Sequence, residues 1–136
     1  MEPRPQLNMT QAMDRSNGEP ANYIFCGDLN TMGLDYPYTT HDIDSDDEIH
    51  ELCRRATHHT KDMRVLNKNQ PHTWLPNPGS RLKPLDLDHV VAASHLTFTD
   101  FQGAQVDVRG WTQSDDPHDW ALRYSDHALL YFEVAT

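Results

Sequence analysis

No stretch of this sequence approaches the roughly 18 consecutive apolar residues that a membrane-spanning helix needs. Behind the opening segment, Met1 to Gln6, there is no apolar signal region, so a cytoplasmic location is the default. Cysteine is scarce: Cys26 and Cys53 cannot build a disulfide framework, and Cys26 lies inside an apolar run where a thiol serves as a small buried hydrophobe. Positive charge is scarce too. The 11 Lys and Arg stand against 21 Asp and Glu, for a formal net charge of −10. That balance argues against a basic groove gripping many phosphates, because non-specific nucleic-acid affinity comes from Lys and Arg displacing counterions. The 9 histidines would carry the charge toward neutrality in mild acid. No internal repeat or low-complexity tract interrupts the chain, and its length and composition suit one globular unit with a modest core.

Residues 1–20 read as a lead-in of helix and loop. Leu7, Met9 and Met13 give a weak amphipathic helix over 5–15, which Ser16 to Pro20 breaks. Tyr23 to Cys26 is continuously apolar and ends at Gly27, the pattern of a strand covered on both faces. The strongest helix signal spans Ser45 to His59. Ser45 and Glu48 match a capping box, Asp46 and Asp47 favour the positive end of the dipole, and Ile49, Leu52, Cys53 and Ala56 share one face. This acidic run is a helix start rather than a calcium loop, for it lacks the spaced ligands and central Gly of an EF-hand. His58 and His59 are adjacent, so on a helix they point about 100° apart and do not share a metal. Beyond a loop rich in Pro, Asn and Gly over 70–84, Leu85 to Ala93 reads as a strand. Gln105 to Trp111 alternates as a strand, Ser114 to Trp120 reads as a charged loop, and Ala128 to Val134 as a final strand. Helix between strands implies α/β to α+β layering.

Polar groups sit at the ends of these apolar runs. Asp28 and Asn30 follow the first strand, where ligands of open α/β sheets bind, although either residue alone is an ordinary turn former. Asp86 and Asp88, both embedded in the strand Leu85 to Ala93, share a face, since strand side chains alternate with period two, and a carboxylate in an apolar strand costs several kcal/mol unless it meets a donor, cation or metal. His127, beside Asp126 and just ahead of the last strand, is the obvious partner for Asp88.

Taken together, Gly27 to Asn30, Thr73 with Trp74, Leu87 to Val90, and Ser125 to His127 resemble the ordered motifs of the endonuclease/exonuclease/phosphatase superfamily, the DNase-I-like metal-dependent phosphoesterases. The resemblance runs from about Tyr23 to Val134 and implies a layered sandwich. It gives Asp28 the task of activating water or protonating the leaving oxygen, and Asn30 that of orienting the phosphate. Asp126 would lie at a divalent metal, Mg²⁺ or Mn²⁺. His127 would contact the scissile phosphate or act as acid and base, with Asp88 orienting it and stabilising its charge. The motif phase selects Asp88 over Asp86. His89 takes an aromatic place and packs or hydrogen-bonds, while Trp74 packs or touches substrate.

The family's amino-terminal half, with its early Asn and its metal-binding Glu, has no counterpart here, so residues 1–136 are expected to be a single partial domain equivalent to the carboxyl-terminal half. The implied activity is hydrolysis of a phosphate mono- or diester, weak in this chain alone. Two alternatives stand beside it: a nuclease acting on DNA or RNA, and a non-catalytic interaction module. The expected partners are a phosphate-ester substrate and either a second copy of the chain or the missing half, because a half-sandwich would expose apolar sheet.

Overall fold

The computed structural model describes residues 21–33, 44–57 and 62–135. The lead-in helix over 5–15, its break at 16–20, and His58 and His59 lie outside the described residues. In chain order the elements are β1 (Ile24–Asp28), α1 (Ser45–Ala56), β2 (Met63–Val65), β3 (Asp88–Ala93), β4 (Asp107–Arg109), a 3-10 turn (Gly110–Gln113), α2 (Pro117–Arg123) and β5 (Leu129–Tyr131). Among the described residues the fold is mixed α/β, with two helices and two small antiparallel sheets.

The larger sheet has the order β1-β3-β2, both pairings antiparallel, and β4 pairs with β5 in a second sheet. β3 is the central strand, and every one of its six residues is buried. Alternation then sorts its side chains. Val91 packs with Met63 and with Ala56 of α1, joined by Tyr23, Phe25, Leu29 and Val65. From the other face, Val90 and Ala92 pack with Leu66 and Val106, joined by Ile24, Phe98, Leu130 and Phe132. A helix thus covers one face of the sheet and the β4–β5 side of the molecule covers the other.

The first strand departs from the expected double burial. Tyr23, Ile24 and Phe25 are half-buried and Cys26 is exposed, so the buried-thiol reading of Cys26 does not hold. The reason is position: β1 has only β3 as a ladder partner among the described residues, and edge strands are covered less completely than central ones.

The α1 cap also differs. Asp44, not Ser45, is the N-cap, its carboxylate accepting from the Asp46 N–H at 2.8 Å. Glu48 does not reach back to close a capping box. It is buried, and its Oε2 accepts from the Gly33 N–H at 2.8 Å, which ties α1 to the segment after β1. The stretch read as a charged loop contains α2, begun by the Asp116 side chain, which accepts from the Asp119 N–H at 3.0 Å, and by Pro117 in the first turn.

Candidate active site

The register places the first two acids. Asp28 and Asp88 are direct partners across the antiparallel β1–β3 ladder, so their side chains leave the same face of the sheet. That is also the face of Val90 and Ala92, the one covered by the side carrying β5. Two carboxylates directly opposite one another repel, and something must compensate them. His127 does. Its Nδ1 donates to Asp88 Oδ2 at 2.9 Å, and its Nε2 lies 4.0 Å from Asp28 Oδ2. A carboxylate can only accept, so the Nδ1 proton is on the imidazole and Nε2 is the atom turned toward Asp28.

Neighbouring bonds fix this geometry. The buried Thr73 hydroxyl accepts from the N–H groups of Leu87 (3.0 Å) and Asp88 (2.9 Å). The Thr73 carbonyl accepts from the Ala128 N–H at 2.7 Å, and the Asp126 carbonyl from the Leu75 N–H at 2.9 Å. Thr73 and Trp74 therefore bridge the start of β3 and the approach to β5, which is why His127 arrives over Asp88. His127 is further held by its own N–H bond to Ser125 Oγ at 3.0 Å. Asp28 Oδ1 accepts from the Asn30 N–H at 2.8 Å, closing an Asx turn, and Asn30 adopts φ of +52°, a conformation that Asn tolerates better than most residues. Asp28 and Asn30 are thus both a turn and part of the site. Gly27 (φ +131°) supplies a backbone conformation that an L-residue adopts only with strain.

The imidazole is held above its ordinary pKa. Burial pulls it down and is the largest single influence; the Asp88 hydrogen bond and the charges of Asp88, Asp28 and Asp126 together outweigh it. A protonated His127 beside Asp28 is the natural state of the site in mild acid. Asp88 is 7 % exposed and Asp28 is open to solvent, so one acid orients the ring while the other faces a ligand. The 4.0 Å gap exceeds a hydrogen bond, and a ligand oxygen at its apex can bond both groups.

Trp74 is half-buried, and its indole N–H donates to Asp126 Oδ2 at 3.0 Å. Asp126, the acid expected at the metal, is exposed on this rim. Its donor chemistry suits Mg²⁺ or Mn²⁺, which take one or two carboxylates and fill the remaining positions with water and substrate oxygen. Among the described residues no group of three or more His, Cys, Asp or Glu is placed to hold a metal ion.

Asp86 does not join Asp88, because β3 begins only at Asp88 and the regular alternation does not extend back to residue 86. Its carboxylate pairs with the Lys68 ammonium, which also donates to the Asp88 carbonyl at 2.6 Å. Burial lowers the Lys68 pKa and raises that of Asp86 against the pull of the pair. His89 is 1 % exposed and its Nε2 lies 2.7 Å from the Thr31 hydroxyl, a hydrogen-bonded packing residue as expected. Lys68 and Thr31, which brace the two acid-bearing strand ends, were not foreseen. A single Lys between two Asn, and a Thr one residue after Asn30, carry no pattern that marks them.

Asp28, Asp88, Asp126 and His127 are therefore brought to one rim, with Asn30 and Trp74 bonded to members of the group. Comparison with protein-family models, with curated proteins and with solved structures finds no match to this chain.

Proposed function

We propose that this chain carries the acid–base part of a phosphoester-hydrolysing centre within a DNase-I-like layered fold, acting on a phosphate mono- or diester. The observation that carries the reading is the line Asp88, His127, Asp28: a buried acid on Nδ1 and an exposed acid facing Nε2. A hydrogen-bonded carboxylate behind an imidazole is the arrangement that lets the ring hold and pass a proton at a defined atom. Asp28 takes the proton of an attacking water. The His127 imidazolium, its Nε2 4.0 Å from Asp28 Oδ2, donates to a phosphoryl oxygen beside that water, while the ester P–O bond on the far side of phosphorus breaks and the leaving oxygen takes its proton from solvent. Asn30 and the Trp74–Asp126 pair line the approach. A divalent ion, Mg²⁺ or Mn²⁺ held through Asp126 and substrate oxygens, would neutralise the phosphate charge.

The test is release of p-nitrophenol from bis-p-nitrophenyl phosphate and from p-nitrophenyl phosphate, with Mg²⁺, with Mn²⁺ and with chelator. Metal-stimulated turnover that His127→Ala abolishes supports the reading, and turnover indifferent to His127 and Asp28 would sink it.

A second reading, a non-catalytic module that pairs with another copy of the chain, is favoured by two features: among the described residues β1 is an edge strand with an exposed Cys26, and Leu129 of β5 is 57 % exposed.

A further inference from the structure

A pocket of about 610 Å³ opens beside the rim just described, within the size range of small-molecule sites. One wall is the segment Leu75 to Pro78, which continues directly from Trp74. The opposite wall is α2 and the stretch Tyr124 to Asp126, which runs directly into His127. The bond from the Leu75 N–H to the Asp126 carbonyl, 2.9 Å, joins the two walls. Asp126 thus belongs both to the pocket and to the site, so a molecule with its phosphate at Asp28 and His127 has the pocket beside it for the rest of its body.

The lining has two chemical characters. The first is apolar: Leu75 is buried, while Leu122 and Tyr124 stand 87 % and 71 % exposed, two of the six exposed large hydrophobic side chains among the described residues. Exposed apolar side chains gathered on one opening mark a contact surface. The Tyr124 ring is set in place by Trp120, with centroids 4.9 Å apart. Trp120 in turn packs over Gly110, where a Cβ would come within 3.0 Å of the indole. The second character is acidic: Asp116, Asp119 and Asp126 line the pocket beside a single imidazole, His118, and among the described residues no Lys or Arg does. The nearest cation on α2, Arg123, is committed to Asp119 at 2.9 Å.

A second phosphate would meet the open carboxylates of Asp116 and Asp126, with one imidazole, His118, and no Lys or Arg in the lining to hold it, whereas nucleic-acid backbones are held by Lys and Arg. An organic cation meets both the carboxylates and an aromatic face. We infer that this pocket takes the non-phosphate portion of the substrate and selects a compact, positively charged organic group, an alkylammonium, over an anionic one. The inference rests on the phosphoesterase reading for which end of the substrate lies where, but the binding preference stands independently of turnover.

Three ligands of nearly equal size and shape test it: tetramethylammonium, tert-butanol and pivalate. Binding is followed by NMR at the Trp74 indole N–H and at the backbone amides of Leu75, Leu122 and Ser125. Tetramethylammonium is expected to move these signals, with pivalate binding weaker by roughly tenfold or more and tert-butanol between them. Leu122→Lys, at a position open enough to leave the fold alone, should weaken tetramethylammonium by about tenfold. Pivalate binding as well as the cation, unmoved signals, or a cation affinity indifferent to Leu122→Lys would each overturn the proposal. Cation binding without hydrolysis of bis-p-nitrophenyl phosphate would keep the pocket and remove the hydrolase reading; hydrolysis without cation binding would do the reverse.

Discussion

At the scale of single residues, the imidazole of His127 is the hinge of the site because it neutralises two acids that the sheet register forces together. Asp88→Asn keeps an oxygen to accept from Nδ1 but removes the charge, so the loss in stability should be about 1 kcal/mol. Activity should fall far more, by roughly 10²–10⁴-fold, the range that acid–base catalysis supplies. Denaturant titration beside steady-state turnover separates the two, and equal activity in the Asn variant would remove the orienting role. The pH dependence has a definite sign. Because the folded pKa of His127 lies above its ordinary value, its contribution to stability is fully present below about pH 6.5 and is lost as pH rises through the folded value. Urea midpoints measured across that window should drift downward with rising pH in the native chain, and Asp88→Asn should flatten the drift. A native profile that climbs over the same range would contradict this linkage.

At the scale of elements, the start of α1 shows how a local pattern can be satisfied by the wrong residue. Ser45 followed by Glu48 fits a capping box, yet Asp44 stands one place earlier and caps as well as Ser does. Glu48 is then drawn to the Gly33 N–H by tertiary contact, which no local rule anticipates. Asp44→Ala should therefore cost about 1 kcal/mol and Ser45→Ala only a few tenths, measured as denaturation midpoints. The reverse order would restore the capping box. Legibility followed the same division. The strand end bearing Asp28 could be placed from sequence because an apolar run with a polar end has a plain signature, whereas β3 begins at Asp88 and not at the expected Leu85; even so, the need of a buried acid for a partner led from Asp88 to His127. The helix α2 was obscured because its short span mixes charged residues with Trp120, although Asp116 followed by Pro117 is a start signal. Lys68 was obscured for another reason: its meeting with Asp86 depends on how β2 and β3 pair, and pairing is not written in either segment alone.

At the scale of the whole molecule, the distribution of apolar surface decides what the chain does in solution. β3 is sealed on both faces, but the seal thins outward. Cys26 on β1 is exposed, and so are Leu129, at the start of β5, and Val134, whose relative exposures are 57 % and 45 %. β1 also has an unpaired ladder edge among the described residues, and such an edge is a template for another strand. Symmetric dimers are the commonest way to cover a surface of this kind, since one patch serves both partners. The expected outcome is a reversible homodimer that sedimentation velocity resolves as a concentration-dependent shift. Leu129→Lys should move the equilibrium toward monomer, because a charge placed on apolar surface that two copies bury is desolvated without a partner. Tyr131 and Leu130 remain in place in that variant, so circular dichroism should show the fold retained. A single monomeric species at every concentration, with the same sedimentation in native chain and variant, would show that this surface has no second copy as its partner.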